Sequence, residues 1–182
     1  MILKVPYYSQ VGFGADEHFN DCGPACCSMC LAYVKDISVS PNDWYDIDGW
    51  GAPDTDVGTY AWQMRKALAE FDVDSFQSGY LLAQEEQPII SLVDYGVLSR
   101  AGYTWVKASF LHWVVIVGRD VNHIVIHDPY YPEEQGANIR VSYGVFNSAF
   151  RWSNIAVIKP PSDERPIRKP GDRLGKPERM QR

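Results

Sequence analysis

The chain has 182 residues, of which 46% are hydrophobic and 22% are charged, so it can form one globular domain with a real core. Its formal net charge is -6 and its isoelectric point is about 5.1. This acidity argues against a nucleic-acid-binding protein, which usually carries a basic patch or stripe. The longest apolar run, Trp113–Val117, is too short to span a bilayer, so no membrane span is expected.

The N-terminal segment MILKVPYYSQ has one lysine and no apolar stretch long enough for a secretory signal. If Met1 is the native start, the protein is expected to be cytoplasmic as synthesised, and release or export by another route stays open. Residues 4–9 are expected to be extended, and a glycine-rich loop follows Gln10.

A first helix is predicted from Cys22 to Tyr33. Pro24 lies in its first turn, where the missing N–H costs no hydrogen bond. Ala25 and Met29 recur at helical spacing and predict a buried face. A loop rich in Asp, Gly, Pro and Trp covers residues 40–58, and its role is not predicted.

A second helix is predicted over about residues 59–71, with Asp56 or Thr59 as its cap. The later pattern predicts strands at residues 88–94, 113–117, 124–126, 139–143 and 154–158. Helices that precede strands indicate an α+β domain. We expect this domain to occupy residues 1–159. Residues 160–182 are rich in proline and charge, which predicts a disordered tail or a linker to a further module.

The cysteines Cys22, Cys26, Cys27 and Cys30 all lie within nine positions. Disulfide-stabilised folds distribute their cysteines to close loops, so we interpret these as free thiols in a reducing compartment. A zinc site built on Cys27-x-x-Cys30, with His18 nearby, is the main alternative. It lacks a second ligand pair at a distance, and cysteines on one helix point in different directions. No metal or other cofactor is expected.

A calcium loop is a weaker alternative, because Asp46-Ile-Asp48-Gly49 matches only part of the pattern. Trp44 and Thr55 stand where calcium ligands would be required. We expect a solvated loop there, with Trp44 and Trp50 packed beneath it or lining a groove.

Cys22 is the second residue of the motif DCGPACC and lies at the predicted start of the first helix. A helix N-terminus presents unpaired N–H groups and a partial positive charge, which stabilise the thiolate that nucleophilic catalysis requires. Gly23 is expected to let a substrate approach the backbone N–H groups closely. The other three cysteines are more simply explained as packing residues within the helix.

A thiolate nucleophile also needs a histidine base and a group that orients it. His112 and Asp128 flank the predicted hairpin HWVVIVGRDVNHIVIHD. If its turn is centred near Asp120, Gly118 pairs with Asn122, and His112 lies opposite Asp128 on the same face. A shift of one residue would separate them, so this hypothesis depends on the register.

The segments VPYYSQ, DCGPACCSMCLAY, HWVVIVGRD and IVIHDP occur in this order, and together they resemble the bacteriocin-processing peptidases, which remove double-glycine leaders. These belong to the papain-like cysteine peptidases. The resemblance implies a papain-like α+β fold, with the helix that carries the nucleophile packed on an antiparallel sheet. It also implies Cys22 as nucleophile, His112 as base, Asp128 as its orienter and Gln10 as oxyanion donor.

The resemblance does not fix the substrate, for which a leader peptide and a peptidoglycan peptide both stay open. The P-loop pattern GxxxxGK[ST] of an attached transporter is absent from the sequence, and a free-standing domain with a charged tail is similar to a module of a cell-wall hydrolase. Two alternatives use the same residues: an amidase or acyl transferase, and a catalytically idle binding domain.

Overall fold

The computed structural model describes residues 1–11, 20–47, 50, 58–80 and 86–159. Its described part contains four α-helices and one antiparallel sheet of six strands, in the order β1-β6-β2-β3-β4-β5. The helices are α1 Cys22–Lys35, α2 Ala61–Ala69, α3 Tyr95–Arg100 and α4 Tyr143–Ala149. The strands are β1 Ser75–Ser78, β2 Ile89–Asp94, β3 Leu111–Arg119, β4 His123–His127, β5 Ile139–Ser142 and β6 Phe150–Val157. The predicted α+β class is confirmed.

Helix α1 begins at Cys22, as predicted, and continues two residues beyond the predicted end. It is buried on nearly all sides rather than along one stripe. Cys26, Cys27, Cys30 and Leu31 are fully buried in the cluster that joins α1 to β3 and α2. A helix that is apolar all round belongs in a core, so α1 is the central element on this side of the sheet.

The sheet is covered on both faces, which explains why β3 is buried along seven consecutive residues. Trp113, Val115 and Val117 belong to the cluster around α1. Val114 and Ile116 belong to a second cluster, which is completed by the short helices α3 and α4. A strand buried on both faces reads as a continuous apolar run, which is the pattern seen in the sequence.

The predicted register of the β3–β4 hairpin is wrong. Gly118 pairs with Val125 rather than Asn122, and Val115 pairs with His127. A β-bulge between Ile116 and Gly118 shifts the pairing by one residue along the hairpin. Without the bulge, the pairing near the turn would have placed Asp128 level with Val115, on the opposite face from His112. With the bulge, Val115 pairs with His127, so Asp128 lies level with Val114. His112 and Asp128 are therefore diagonal neighbours on the same face of the sheet.

Three short elements were absent from the sequence prediction: the edge strand β1 and the helices α3 and α4. A 3₁₀ helix, Pro41–Asp46, lies in the predicted loop 40–58. Within that loop, Trp44 and Trp50 are buried and pack against each other with ring centroids 5.5 Å apart. Both side chains belong to the buried core cluster around α1, which agrees with the packed alternative for these two residues. Asp48, Gly49 and residues 51–57 lie outside the described residues, as does the proposed tail 160–182.

The second helix is shorter than predicted at both ends. Tyr60 precedes it, and its backbone N–H donates to the side-chain oxygen of Gln63 at 2.7 Å. Thr59 is therefore not the cap, and Asp56 lies outside the described residues. None of the helices in the described ranges is both long enough and apolar enough to cross a membrane.

Candidate active site

Cys22 is the first residue of α1 and lines a groove at the end of the sheet. Asp21 precedes it, with a buried carboxylate that accepts a hydrogen bond from the hydroxyl of Tyr45. The carbonyl of Asp21 accepts the N–H of Ala25 at 2.9 Å, which closes the first turn of the helix. The sulfur therefore stands at a helix N-terminus, where the helix dipole favours negative charge.

Gly23 has a different role from the one predicted. A Cβ at this position would lie 2.5 Å from Cβ of Thr59 and 2.6 Å from its Oγ1. The side chain of Thr59 thus fills the space beside Gly23, so this glycine permits close packing of the segment that leads into α2. It does not leave that space open for a substrate.

His112 and Asp128 form a buried pair. Nε2 of His112 donates to Oδ1 of Asp128 at 2.7 Å, and both side chains are 1% exposed. Cys22 lies close enough to His112 for its side chain to raise the pKa of the imidazole. Because Nε2 faces the carboxylate, Nδ1 is the ring nitrogen left to face the sulfur. The structure thus brings three of the predicted site residues, Cys22, His112 and Asp128, close together.

The charge state of His112 follows from these contacts. Burial lowers its pKa, whereas the charge and hydrogen bond of Asp128 and the contact with Cys22 raise it. The raising effects dominate, and they bring the pKa of His112 from 6.5 to about 9. His112 therefore carries a proton at neutral pH and places a positive charge beside the sulfur of Cys22.

Three aromatic rings enclose the imidazole of His112. Tyr95 lies edge-on to it at 5.1 Å, Phe110 at 5.8 Å and Tyr130 at 6.0 Å between ring centroids. Tyr95 and Phe110 are themselves stacked, with centroids 4.7 Å apart. These rings exclude water from the pair and restrict rotation of the imidazole. Sequence reasoning missed them; the only signal was the apolar pair Phe110-Leu111 directly before His112.

Gln10 is buried and lies beside the turn that carries Asp128. Its backbone N–H donates to the carbonyl of Pro129 at 2.8 Å. Oδ1 of Asp128 also accepts the N–H of Tyr130 at 3.0 Å, which fixes the carboxylate within that turn. The structure therefore places the backbone of Gln10 against the residue that follows Asp128.

The groove beside Cys22 and His112 has a volume of about 830 Å³. Exposed apolar side chains border it: Tyr60, Trp62, Phe110 and Leu111. Gln77 and Ser153 contribute polar groups from the strands β1 and β6. The described residues that line this groove include one histidine, His112, and no Lys, Arg, Asp or Glu.

The other three cysteines are packing residues. Cys26, Cys27 and Cys30 are fully buried, and burial raises the pKa of each thiol well above its usual range. None of the four cysteines forms a disulfide. In the described ranges, no group of three or more His, Cys, Asp or Glu side chains is arranged to hold a metal ion.

The remaining histidines lie away from the site or outside the described residues. His127 faces the other side of β4, as predicted, and bonds to the carbonyl of Val5 at 2.9 Å and to the N–H of Asn138 at 3.0 Å. Burial lowers its pKa. His123 lies at the turn and pairs with Asp120 at 3.0 Å. His18, which the zinc alternative required, is not among the described residues.

Comparison with known proteins identifies the family of this chain. The family model of the Peptidase_C39 like family matches residues 2–158. Among solved structures, a double glycine motif protease from an AMS/PCAT transporter, in complex with its leader peptide, is similar with a TM-score of 0.61 and 19% identity. That match covers 86% of this chain and 92% of the protease. No curated protein matches the chain.

Two further solved structures share the fold. A putative C39-like peptidase from Bacillus anthracis has a TM-score of 0.59 at 18% identity, covering 87% of this chain and 97% of its own. The peptidase domain of Streptococcus ComA, a bifunctional ABC transporter, has a TM-score of 0.57 at 16% identity, covering 83% and 96%. The resemblance and the papain-like fold predicted from the sequence are confirmed. The chain belongs to the Peptidase_C39 like family and is a cysteine peptidase.

Proposed function

We propose that this peptidase hydrolyses peptide bonds through a triad of Cys22, His112 and Asp128, with Gln10 as oxyanion donor. The observation that carries the proposal is the proximity of Cys22, at the start of α1, to His112, whose imidazole is hydrogen-bonded to the buried carboxylate of Asp128. A nucleophile, a base and an orienting group in this order are the arrangement that acyl transfer requires.

In the proposed reaction, the sulfur of Cys22 attacks the carbonyl carbon of the scissile amide. The carbonyl oxygen becomes an oxyanion, which accepts hydrogen bonds from the Gln10 amide and the backbone N–H of Cys22. The C–N bond then breaks, and the proton held by His112 passes to the leaving amine. A water molecule, deprotonated by His112, attacks the thioester and releases the acid, which returns Cys22 and His112 to their starting state.

The raised pKa of His112 supports its role as the acid of the first step. An imidazole with a pKa of about 9 holds its proton at neutral pH until the leaving nitrogen becomes basic. The same proton stabilises negative charge on the adjacent sulfur. Asp128 supports both effects through its hydrogen bond to Nε2 and through its charge.

The groove favours an uncharged peptide segment as the substrate. Its apolar border of Tyr60, Trp62, Phe110 and Leu111 can cover apolar side chains on either side of the scissile bond. Peptidoglycan stem peptides carry free carboxylates, for which the described groove offers no cation other than His112. The proposal is therefore a peptide with apolar residues near the cleavage point, such as a leader peptide, rather than a cell-wall peptide.

We also propose that the catalytic domain comprises residues 1–159 and that residues 160–182 form a tail or linker. The family match over residues 2–158 supports this boundary.

The test compares two sets of substrates with matched enzyme variants. Mixed quenched-fluorescence peptides rich in apolar residues are offered alongside purified peptidoglycan fragments, and products are mapped by mass spectrometry. We expect cleavage of the apolar peptides and none with Cys22→Ala, while Cys26→Ala retains turnover because Cys26 is a packing residue. Cleavage of the cell-wall fragments alone would contradict the substrate proposal.

The same assay separates the alternatives. Full activity in Cys22→Ala would exclude the proposed mechanism. Transfer of the acyl group to an added amine in preference to water would identify an acyl transferase. An absence of turnover on both sets, with Cys22 no more reactive toward iodoacetamide than a buried thiol, would identify a binding domain.

A further inference from the structure

Tyr7 makes two hydrogen bonds to the turn that carries Asp128, although nothing in the proposed reaction requires it. Its hydroxyl lies 2.9 Å from the carbonyl oxygen of Asp128 and 2.8 Å from that of Tyr131. One hydroxyl proton serves both carbonyls, so Tyr7 bridges the two ends of the turn. Burial and the negative charge of Asp128 raise the pKa of Tyr7, so its hydroxyl stays protonated and remains a donor.

The backbone of Asp128 is held at both of its polar groups. Its N–H donates to the carbonyl of Gly136 at 2.9 Å, and its carbonyl accepts from Tyr7. Gly136 leaves just enough room for this contact: a Cβ there would lie 2.1 Å from the carbonyl oxygen of Asp128 and 2.4 Å from the hydroxyl of Tyr7. With its backbone fixed in this way, the Asp128 carboxylate can aim at His112 in only a narrow range of directions.

The segment that contains Tyr7 also contains Gln10. The hydroxyl of Ser9 donates to the carbonyl of Tyr131 at 2.7 Å, and the N–H of Gln10 donates to that of Pro129 at 2.8 Å. Three donors from four consecutive residues thus bind three carbonyls of one turn. The segment that supplies the candidate oxyanion donor and the turn that supplies the candidate orienting carboxylate form one hydrogen-bonded unit.

We propose that Tyr7 is a positioning residue that locks Gln10 and Asp128 into a fixed relation, so that the oxyanion donor and the His112–Asp128 pair stay aligned on the same carbonyl group. This inference rests on the proposed roles of Gln10 and Asp128. Tyr7 acts through these residues and contacts neither the sulfur nor the imidazole in the proposed reaction.

The chain offers a matched control in the adjacent residue. The hydroxyl of Tyr8 pairs with that of Ser38, away from the Asp128 turn. Tyr7→Phe and Tyr8→Phe each remove one hydroxyl and retain the ring, so they differ only in which partner is lost. The ring of Tyr7 keeps its edge contact with His127, 5.8 Å between centroids, in the phenylalanine variant.

The experiment measures turnover of a cleaved apolar peptide and the titration of His112 by imidazole NMR. Tyr7→Phe is expected to lower kcat about 10-fold at unchanged KM, because misplacement of catalytic groups by a fraction of an ångström is costly. The apparent pKa of His112 should fall by roughly half a pH unit or more, as the carboxylate is held less firmly. Tyr8→Phe should match the wild type in both measurements.

A double variant distinguishes positioning from general destabilisation. If Tyr7 acts through Asp128 as well as Gln10, adding Tyr7→Phe to Asp128→Asn should lower kcat by a smaller factor than it does in the wild type, because only the alignment of Gln10 is left to lose. Equal losses in both backgrounds, or wild-type kcat and His112 titration in Tyr7→Phe, would overturn the proposal. Should Tyr7→Phe fail to fold, Ser9→Ala removes a second bond of the same unit and must show the same two effects.

The two proposals can fail separately. If the wild type cleaves no peptide, the proposed function fails, and the NMR titration of His112 still decides the role of Tyr7. If the wild type is active and His112 titrates identically in Tyr7→Phe, only the positioning role fails.

Discussion

Asp128→Asn removes the negative charge beside His112 while preserving the shape of the side chain. Oδ1 of Asp128 accepts hydrogen bonds from His112 at 2.7 Å and from the N–H of Tyr130 at 3.0 Å, so an amide oxygen can take its place. The amide nitrogen would then stand where Oδ2 lies, an atom with no hydrogen-bond partner among the described residues. The variant thus tests charge and orientation rather than packing.

The magnitude follows from the pKa of His112. Burial lowers this pKa, but the opposing effects of Asp128 and Cys22 outweigh burial, so the pKa rises from 6.5 to about 9. A pKa shift of one unit is equivalent to about 1.4 kcal/mol, so the rise in the pKa of His112 corresponds to a free energy of roughly 3 kcal/mol in favour of the protonated imidazole. Most of this stabilisation should be lost when the Asp128 carboxylate is replaced by an amide. His112 in Asp128→Asn is therefore expected to be largely neutral at pH 7. We expect kcat to fall about 10²–10³-fold, because the acid is missing and the ring is mis-set.

Two measurements check this expectation. Steady-state turnover of a cleaved peptide gives kcat and KM across pH 5–10, and imidazole NMR gives the titration of His112. In the wild type, the basic limb of the rate profile should lie near pH 9, where His112 loses its proton. In Asp128→Asn, the basic limb of the rate profile and the midpoint of the NMR titration of His112 should both move to pH 6.5 or below.

The His112–Asp128 pair also makes the free energy of unfolding depend on pH. Because the folded pKa of His112 is raised, its contribution to folding is fully present below about pH 6.5 and is lost as the pH rises through about 9. The difference in unfolding free energy between wild type and Asp128→Asn should therefore narrow over this interval. Unchanged kcat in the variant, or a His112 titration that does not move, would refute the assigned role of Asp128.

Two further substitutions test the surroundings of the pair. Gln10→Ala is expected to lower kcat about 10²–10³-fold with little change in KM, which is the usual effect of removing one oxyanion donor from an enzyme. A wild-type kcat in this variant would exclude Gln10 from the mechanism. Gly136→Ala is expected to lower the unfolding free energy by about 1–3 kcal/mol and to reduce kcat, since its Cβ would press on the backbone of Asp128. Gly144→Ala is the control for melting curves, because a Cβ at Gly144 meets nothing within 4 Å; equal melting temperatures for the two variants would contradict the steric argument.

The sequence predicts the helices and strands that are marked by a local pattern of residues. Helix α1 starts at Cys22 because Pro24 suits a first turn and the apolar residues after it recur at helical spacing. Strands β2, β3 and β4 are long apolar runs, and their existence was predicted within a few residues. The sequence also indicated which cysteine stands apart: Cys22 lines the groove, whereas the other three are fully buried.

The features that the sequence did not predict depend on contacts between residues that are far apart in the sequence. The six-residue helix α3 and the seven-residue helix α4 are too short to be stable alone, and they form because they complete the core cluster around Ile126 and Phe146. The bulge near Val117 leaves no signal in a continuous apolar run, yet it decides which face Asp128 occupies. The role of Tyr7 in binding the Asp128 turn joins residues 121 positions apart, and no local pattern encodes it.

The central claim is that Cys22 is a nucleophile activated by His112, and its alkylation by iodoacetamide tests this most directly because no substrate is needed. Each thiol is followed by peptide mass spectrometry across pH 5–9, in wild type and in His112→Ala. We predict fast modification of Cys22 below neutral pH, slow modification of the buried thiols, and a marked slowing at Cys22 without His112. Four equally slow thiols in the wild type, or a Cys22 rate that is unchanged by loss of His112, would contradict the account.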